Sequence, residues 1–174
     1  VAAAIVFRSG PADVSRSASA DSARVTGARL GTEGYALRVR REGVTMVANT
    51  AHGLFYALQT LEQVTTRSKH GLRSRAVTIV DWPEYRWRGI HLDVARHFFP
   101  VPVVERFIDV AAHYKLNVFH WHLTDDQAWR LQSDRYPALG AGGDRYSPAD
   151  VRAVVAYAAR RYVTVVPEID MPAH

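Results

Sequence analysis

Two histidines, two aspartates, a glutamine and two tryptophans are gathered between His120 and Trp129. Residues 117–123 alternate in polarity, which is typical of a β-strand. Asp125 and Asp126 come just after this strand. In α/β proteins, catalytic and ligand-binding groups collect beyond the carboxyl ends of strands. We therefore expect this stretch to belong to a functional site.

Polar groups also follow two other predicted strands. Gly89–Val94 is the strand before this stretch, and Val163–Val166 is the strand after it. The groups that follow them are Arg96, Glu168, Asp170 and His174. In a βα barrel the ends of all three strands lie on one rim. An arginine fork suits recognition of hydroxyls or carboxylates, and an Asp–His pair orients and tunes a neighbouring acid or base.

Two amphipathic helices are predicted between these strands. The first covers 101–114 and has an apolar face made of Val104, Phe107, Ile108, Ala111 and Tyr114. The second covers 149–162, begins after the capping sequence Ser147-Pro148, and has an apolar stripe made of Val151, Val154, Val155 and Ala158. The order predicts an α/β fold, the start of a (β/α)8 TIM barrel with about three βα units. A closed barrel needs about 250 residues, and residues 82–174 number only 93.

Residues 1–81 predict a small α+β domain that precedes the barrel. Its predicted elements are a strand Ala2–Phe7, a loop over 9–22, a hairpin of Gly34–Arg40 with Val44–Ala48, a helix, and a strand Arg75–Val80. Asn49 or Thr50 is expected to cap the helix, whose apolar row is Leu54, Leu58, Leu61 and Val64. A proline and a change of composition at Asp81-Trp82-Pro83 predict the domain boundary, which gives domains 1–81 and 82–174. His52 and His70 are isolated histidines, for which surface or capping roles are expected.

Composition excludes several classes of protein. The net charge of +5 comes almost entirely from arginine, and no basic run is longer than residues 38–41, so nucleic acid is not an expected partner. The chain has no cysteine, and therefore neither a disulfide framework nor a thiolate metal site. No apolar run approaches the roughly 18 residues that span a bilayer. Residues 1–7 are too short for a signal-peptide core, and we expect the chain to be a piece of something longer.

Three segments of the second domain closely resemble glycoside hydrolase family 20, the β-N-acetylhexosaminidases, which include lysosomal hexosaminidases and bacterial chitobiases. The segments read RGIHLDVARHFFP from Arg88, LNVFHWHLTDDQ from Leu116 and VPEIDMPAH from Val166, in the order that the family has them. GLFYALQTL from Gly53 is similar to the helix of the family's small α/β domain. The resemblance covers most of residues 34–174.

The resemblance implies hydrolysis of terminal non-reducing N-acetylhexosamine from N-acetyl-β-hexosaminides or chito-oligosaccharides, with retention and with the substrate's own acetamide as nucleophile. No cofactor or metal is implied, and the compartment would be secreted, periplasmic or lysosomal. Arg96 would bind hydroxyls of the terminal sugar, and Asp125 would order that subsite. Asp170 and His174 would form a dyad that tunes the acid. Asp126, Trp129 and Glu168 would have secondary roles at this site.

The chain departs from the family pattern in two ways. Ala173 stands where the family usually has glycine, which costs about 1 kcal/mol if the position needs positive φ. The family's catalytic Asp-Glu pair, at the end of the fourth strand, is absent from residues 1–174. The full-length parent is therefore expected to be a glycoside hydrolase, and this piece is expected to be inactive alone.

Several residues have a structural interpretation beside the functional one. Arg96 could pair with Asp93 or Asp125, and Arg88 begins its strand at the end away from the chemistry. Asp126 is expected to support substrate-contacting groups, Trp129 to fill a loop core and Glu168 to brace the rim. Two other functions stay open. One is a metal-dependent hydrolase that uses His120, His122 and Asp170, and the other is a non-catalytic carbohydrate-binding protein.

Overall fold

The computed structural model describes the backbone of residues 4–9, and it describes residues 30–69, 71–171 and 174 in full. Apart from Ser9, the predicted loop over 9–22 lies outside the described residues, as do His70 and Ala173. The chain forms two compact units, Val1–Arg86 and Trp87–His174. No helix among the described residues is both long and apolar enough to cross a membrane.

The N-terminal unit is built on a four-stranded sheet. Its elements are β1 (Ala4–Ser9), β2 (Tyr35–Arg40), β3 (Gly43–Ala48), α1 (Ala51–Gln63), β4 (Thr65–Ser68), β5 (Gly71–Ser74) and β6 (Val77–Asp81). The sheet order is β1-β3-β2-β6, in which β1 runs parallel to β3 and the other pairs are antiparallel. The predicted hairpin and helix are therefore confirmed. Alternate residues of β2 and β3 form the core with α1, and they include Tyr35, Leu37, Met46 and Ala48.

Helix α1 begins where the sequence predicts, and its buried face overlaps the predicted apolar row only in part. The Thr50 hydroxyl accepts a hydrogen bond from the Gly53 backbone N–H at 3.2 Å, which confirms the cap. The buried residues are Gly53, Tyr56, Ala57 and Thr60. In the predicted apolar row, Leu54 and Leu61 pack against the core, whereas Leu58 is 40% exposed, so the prediction was wrong at Leu58. The cause is close packing at Gly53, because a Cβ there would collide with the Gly34 carbonyl oxygen and the Ala48 side chain.

A second hairpin, β4–β5, was not predicted from the sequence. Its residues pair antiparallel from Thr65 with Ser74 to Ser68 with Gly71. The β5 residues are all exposed, so they carry no alternation of buried and polar positions that could have indicated a strand. Hydrogen bonds from the hydroxyls of Thr66 and Ser68 to carbonyls of β5 help to hold the hairpin together.

The C-terminal unit contains the predicted strand–helix–strand–helix–strand order. Its elements are β7 (Gly89–Asp93), α2 (Val101–His113), β8 (Val118–Asp125), β9 (Ala128–Trp129), α3 (Pro148–Ala159) and β10 (Thr164–Ile169). The three long strands form one parallel sheet in the order β10-β8-β7. On one face of β8 the rings of Phe119 and Trp121 are fully buried, with Phe119 against Phe107 of α2. The opposite face carries His120 and His122.

The helices of this unit start as predicted, but their buried faces are narrower. In α2, Val104, Ile108 and Ala111 are buried, whereas Tyr114 lies past the helix end and is 68% exposed. The predicted place of Tyr114 in the buried face was wrong.

Helix α3 has the predicted capping box, in which Ser147 and Asp150 bond each other's backbone N–H. The helix ends at Ala159, three residues before the predicted end at 162. The buried residues of α3 are Val154 and Ala158. Val155, which was predicted to lie in the apolar stripe, is exposed, so that part of the prediction was wrong.

Two strands run further than the alternation indicated. β8 continues to Asp125, because Thr124 and Asp125 pair with the short strand β9. β10 continues to Ile169 and therefore includes Glu168, which was predicted to follow the strand. The register places Asp93 beside His122 and His122 beside Glu168. As a result, neighbouring strands present their polar side chains at the same level of one face.

Candidate active site

The turn after β7 folds Arg96 back over the end of the sheet. One oxygen of Asp93 accepts hydrogen bonds from the backbone N–H groups of Ala95 and Arg96, at 2.9 and 3.1 Å. Its other oxygen accepts from Arg96 Nη1 at 2.8 Å. Burial alone would raise the pKa of Asp93, but these hydrogen bonds lower it below its usual value. Asp93 is therefore the ionised group that fixes the turn and the arginine together.

Asp125 is the buried acceptor at the centre of the site. Its side chain is 0% exposed, and its Oδ2 lies 2.7 Å from Arg96 Nη2. Its Oδ1 accepts from the Asp126 backbone N–H at 2.7 Å. Burial would raise the pKa of Asp125, but hydrogen bonds from Asp126, His174 and His122 and the charge of Arg96 lower it to about 2. Asp125 is thus ionised at any pH near neutral.

His122 lies between two carboxylates. Its Nε2 is 3.0 Å from Asp125 Oδ2, and its Nδ1 is 2.7 Å from Glu168 Oε2. The side chain is 5% exposed. Burial alone would lower the pKa of His122, but the hydrogen bonds to Glu168 and Asp125 and the nearby negative charge raise it. The ring therefore links β8 to β10 beneath the rim.

The Glu168 carboxylate contacts histidines of both β7 and β8. Besides His122, its Oε2 lies 2.7 Å from His120 Nε2 and 3.7 Å from His91 Nε2. The hydrogen bond from His122 and the charges of the histidines lower the pKa of Glu168. These contacts agree with the predicted bracing role of Glu168.

His174 reaches the site through a partner that the sequence did not indicate. Its Nδ1 lies 3.2 Å from Asp125 Oδ2 and 3.3 Å from Arg96 Nη2. Asp170, the predicted partner of His174 in a dyad, has a carboxylate oxygen within 4.8 Å of a His174 ring nitrogen, but the structure shows no hydrogen bond between these two described side chains. The Asp170 carbonyl instead accepts a hydrogen bond from the Thr124 hydroxyl at 3.2 Å, which ties the end of β10 to β8.

The remaining predicted residues lie at the edge of this group. Asp126 is exposed and contributes its backbone N–H to Asp125. Trp129 is partly buried in β9, where its carbonyl packs against Gly140. Arg88 is structural, since its Nε donates to the Lys115 carbonyl at 2.9 Å at the opposite end of β7. Arg96 pairs with both Asp93 and Asp125, so both of its predicted ion pairs are present.

Sequence reasoning missed Arg130 and His91. Arg130 donates to the carbonyls of Val94 and Ala95 at 2.8 and 3.0 Å and so holds the turn that carries Arg96. It follows β9 and has no periodic signal that could have marked it. His91 could have been found, because it lies two residues before Asp93 on one strand and therefore on the same face.

Three groups of side chains in the described part of the chain are spaced closely enough to hold a metal ion. They are His91 with His120 and Glu168, His122 with Glu168 and Asp170, and Asp125 with Asp170 and His174. The predicted alternative set of His120, His122 and Asp170 is not one of them. Both nitrogens of His122 already face carboxylate oxygens. The ring therefore has no free lone pair for a metal while these contacts hold, which weighs against the alternative.

Polar side chains around the buried carboxylate of Asp125 gather at the carboxyl ends of a parallel βα sheet. This arrangement is that of the opening part of a TIM-barrel enzyme. Residues 85–174 match the family described as glycosyl hydrolase family 20, catalytic domain, and residues 3–82 match glycosyl hydrolase family 20, domain 2. The chain belongs to glycosyl hydrolase family 20. The family predicted from the three sequence segments is confirmed.

Curated proteins similar to this chain are named as beta-hexosaminidases. A beta-hexosaminidase of Porphyromonas gingivalis is 40% identical over 83% of this chain and 21% of its own length. A beta-N-acetylhexosaminidase of Cellulomonas fimi is 43% identical over 83% of this chain and 31% of its own length. The chain thus spans between about a fifth and a third of these curated relatives.

Solved structures agree with the fold. The exo beta-N-acetylglucosaminidase of Vibrio harveyi, crystallised in complex with N-acetylglucosamine, superposes with a TM-score of 0.84 at 33% identity, over 98% of this chain and 28% of that one. The beta-N-acetylhexosaminidase of Streptomyces coelicolor has a TM-score of 0.77 at 44% identity, over 82% of this chain and 32% of that one.

Proposed function

We propose that the complete protein is a β-N-acetylhexosaminidase. It removes terminal non-reducing N-acetylhexosamine from N-acetyl-β-hexosaminides, with chito-oligosaccharides among its substrates. The observation that carries the proposal is the meeting of Arg96, His122 and His174 on the buried carboxylate of Asp125. The Vibrio harveyi relative, whose structure holds N-acetylglucosamine, supports the choice of sugar.

Arg96 is the residue that binds the terminal sugar. Its guanidinium is always charged and carries five N–H donors in a fixed plane. Contacts to Asp93 and Asp125 fix the orientation of that plane, while the side chain stays 41% exposed. The remaining donors are therefore held in place and can reach sugar hydroxyls without a large loss of side-chain entropy on binding.

His174 tunes the acid through Asp125. When Nδ1–H donates to the ionised Asp125, the tautomer is fixed and the far nitrogen, Nε2, is left to face a neighbouring group. The family resemblance assigns the acid to an Asp-Glu pair at the end of the fourth strand. In that arrangement His174 holds or moves a proton at the acid, and Asp170 anchors the segment that carries His174.

The reaction class has a direct test on the complete gene product. We expect it to release the aryl group from an aryl N-acetyl-β-glucosaminide and not from the matched aryl β-glucoside. The two substrates differ only in the 2-acetamido group, which acts as the nucleophile in a substrate-assisted mechanism. No release from the first substrate, or equal release from both, would contradict the proposal.

A further inference from the structure

His122 is the one side chain that touches both Asp125 and Glu168 among the described residues. We propose that it is a positioning residue, which is anchored by Glu168 and holds Asp125 in the orientation that both Arg96 and His174 need. The three side chains form a relay, Glu168–His122–Asp125, that runs across β10 and β8. This inference rests on the proposed hexosaminidase function and adds two residues to the machinery of that site.

The two carboxylate contacts of His122 favour a charged ring. Each nitrogen of His122 faces an oxygen of a carboxylate, at 2.7 Å on the Nδ1 side and 3.0 Å on the Nε2 side. A neutral imidazole has one N–H, so one of these contacts would then bring a lone pair against a carboxylate oxygen. Only the imidazolium donates to both. Arg96 Nη1, 3.2 Å from Nε2, is a second cation, and Asp93 and Asp125 offset its charge.

The balance of charges around His122 favours this form. The titratable or charged groups that face it come from β7 and its following turn, from β8, and from β10 and the residues after it. They are His91, Asp93, Arg96, His120, Asp125, Glu168, Asp170 and His174. Four of the eight are carboxylates, and the only one of the eight with a permanent positive charge is Arg96.

The backbone fixes the relay without help from flexible loops. His122 lies in β8, where its Cα partners are Asp93 in β7 and Glu168 in β10. The ring is almost fully buried, so the hydrogen bonds at its two ends cannot be exchanged readily for water. A group held in this way transmits a small displacement of Glu168 to Asp125.

The orientation of Asp125 depends on the hydrogen bond from His122, because a single oxygen of the carboxylate contacts three side chains. Its Oδ2 lies 2.7 Å from Arg96, 3.0 Å from His122 and 3.2 Å from His174. Without the donor from His122, the carboxylate can rotate toward Arg96 and release His174. A misplacement of about 1 Å in a catalytic group costs on the order of 100-fold in rate.

Two amide substitutions separate the two halves of the relay. In His122→Gln the amide nitrogen replaces Nε2 and can still donate to Asp125, whereas in His122→Asn it replaces Nδ1 and can donate only to Glu168. In the complete gene product we expect His122→Asn to lower kcat/KM on the aryl N-acetyl-β-glucosaminide by on the order of 100-fold. His122→Gln should recover most of that loss at a similar Tm. A merely structural histidine would give equal activities for the two variants.

His120→Gln is the comparison variant, because His120 lies on the same strand face and bonds the same Glu168 oxygen without reaching Asp125. We expect it to lower kcat/KM by much less than His122→Asn does, since the donor from His122 to Asp125 is kept. Glu168→Gln should lower kcat/KM by no more than His122→Gln does, and the two effects should not add, since both weaken the same contact of the relay. Equal activities of the Asn and Gln variants, or additive effects, would overturn the proposal.

A second readout does not depend on turnover. The ¹⁵N chemical shifts of the His122 ring in the unsubstituted protein should show both nitrogens protonated at pH 7. A neutral tautomer would overturn the relay. Absence of turnover by the unsubstituted protein, together with a doubly protonated ring, would instead count against the hexosaminidase function and leave the relay standing.

Discussion

Arg96 Nη2 and Asp125 Oδ2 lie 2.7 Å apart, with the carboxylate fully buried and the arginine 41% exposed. The buried Asp125 carboxylate therefore fixes the position of the guanidinium, and the exposed part of Arg96 can contact a ligand. Asp93 holds the same guanidinium through Nη1. Two carboxylates on adjacent strands thus determine the direction in which the free donors of Arg96 point.

The first prediction concerns the shape of this cation. Arg96→Lys keeps the charge but replaces a planar fork by one ammonium group, which cannot bond Asp93 and Asp125 and still offer an oriented pair of donors to a sugar. We expect kcat/KM of the complete protein to fall by about 100-fold. Arg152→Lys is the control, because Arg152 is exposed on α3. Equal kcat/KM for both variants would show that only the charge of Arg96 matters.

The second prediction concerns the α3 capping box. Hydrogen bonds from the Ser147 hydroxyl and backbone lower the pKa of Asp150 below its ordinary value. A carboxylate with a lowered pKa stabilises the fold above its unfolded pKa, and this contribution is lost as the pH falls through its folded pKa. We expect Asp150→Asn to lower the Tm at pH 6, and the difference from the unsubstituted protein to narrow below about pH 4. A difference that is independent of pH would contradict this linkage.

The third prediction concerns Gly53. Alanine in place of a helical glycine usually stabilises by up to about 1 kcal/mol. Here the added Cβ would collide with the Gly34 carbonyl and lie 2.8 Å from the Ala48 Cβ, so we expect Gly53→Ala to destabilise. Gly142→Ala, which meets nothing within 4 Å, should leave the Tm nearly unchanged. A higher Tm for Gly53→Ala would mean that the helix can move away from the sheet.

The sequence predicted the family and the strand–helix–strand–helix–strand order of the C-terminal unit, but it did not predict β4, β5 or β9, or that Asp125 and Glu168 lie within strands. Periodicity could not find the ends of β8 and β10, because Asp125 and Glu168 are polar residues that point to the site from within a strand. The roles of the site residues, which come from the family segments, stay predictions. The partner of His174 could not be read from spacing, since Asp125 is 49 positions away in the chain.

The exposure of Leu58 on α1 was not predicted, and the physical reason is different. A row of leucines predicts the buried side only when helix and sheet pack at an ordinary distance. Gly53 lets α1 lie close to the Gly34 carbonyl, so the side of the helix that carries Gly53 and Ala57 is buried and Leu58 is left exposed. A glycine in a helix among larger apolar residues was the available signal.

The fourth prediction concerns residues 1–174 as an isolated polypeptide. We expect no measurable hydrolysis, because the family's Asp-Glu pair is not among these residues. We also expect low solubility, since Val110 and Val155 lie exposed on the helices and strand edges are open to pairing. Assaying the isolated polypeptide beside the complete gene product, at equal concentration, checks both expectations. Turnover by the isolated polypeptide would contradict the assignment of the acid to a later strand.

The most direct test of the account is the activity of Asp125→Asn in the complete protein. The amide keeps the size of the side chain but removes the charge that Arg96, His122 and His174 share. The control is Asp144→Asn, whose side chain is exposed. We predict that Asp125→Asn lowers kcat/KM on the aryl N-acetyl-β-glucosaminide by at least about 100-fold, while Asp144→Asn does not change it. Near-normal activity of a folded Asp125→Asn protein would contradict the claim that this carboxylate organises the site.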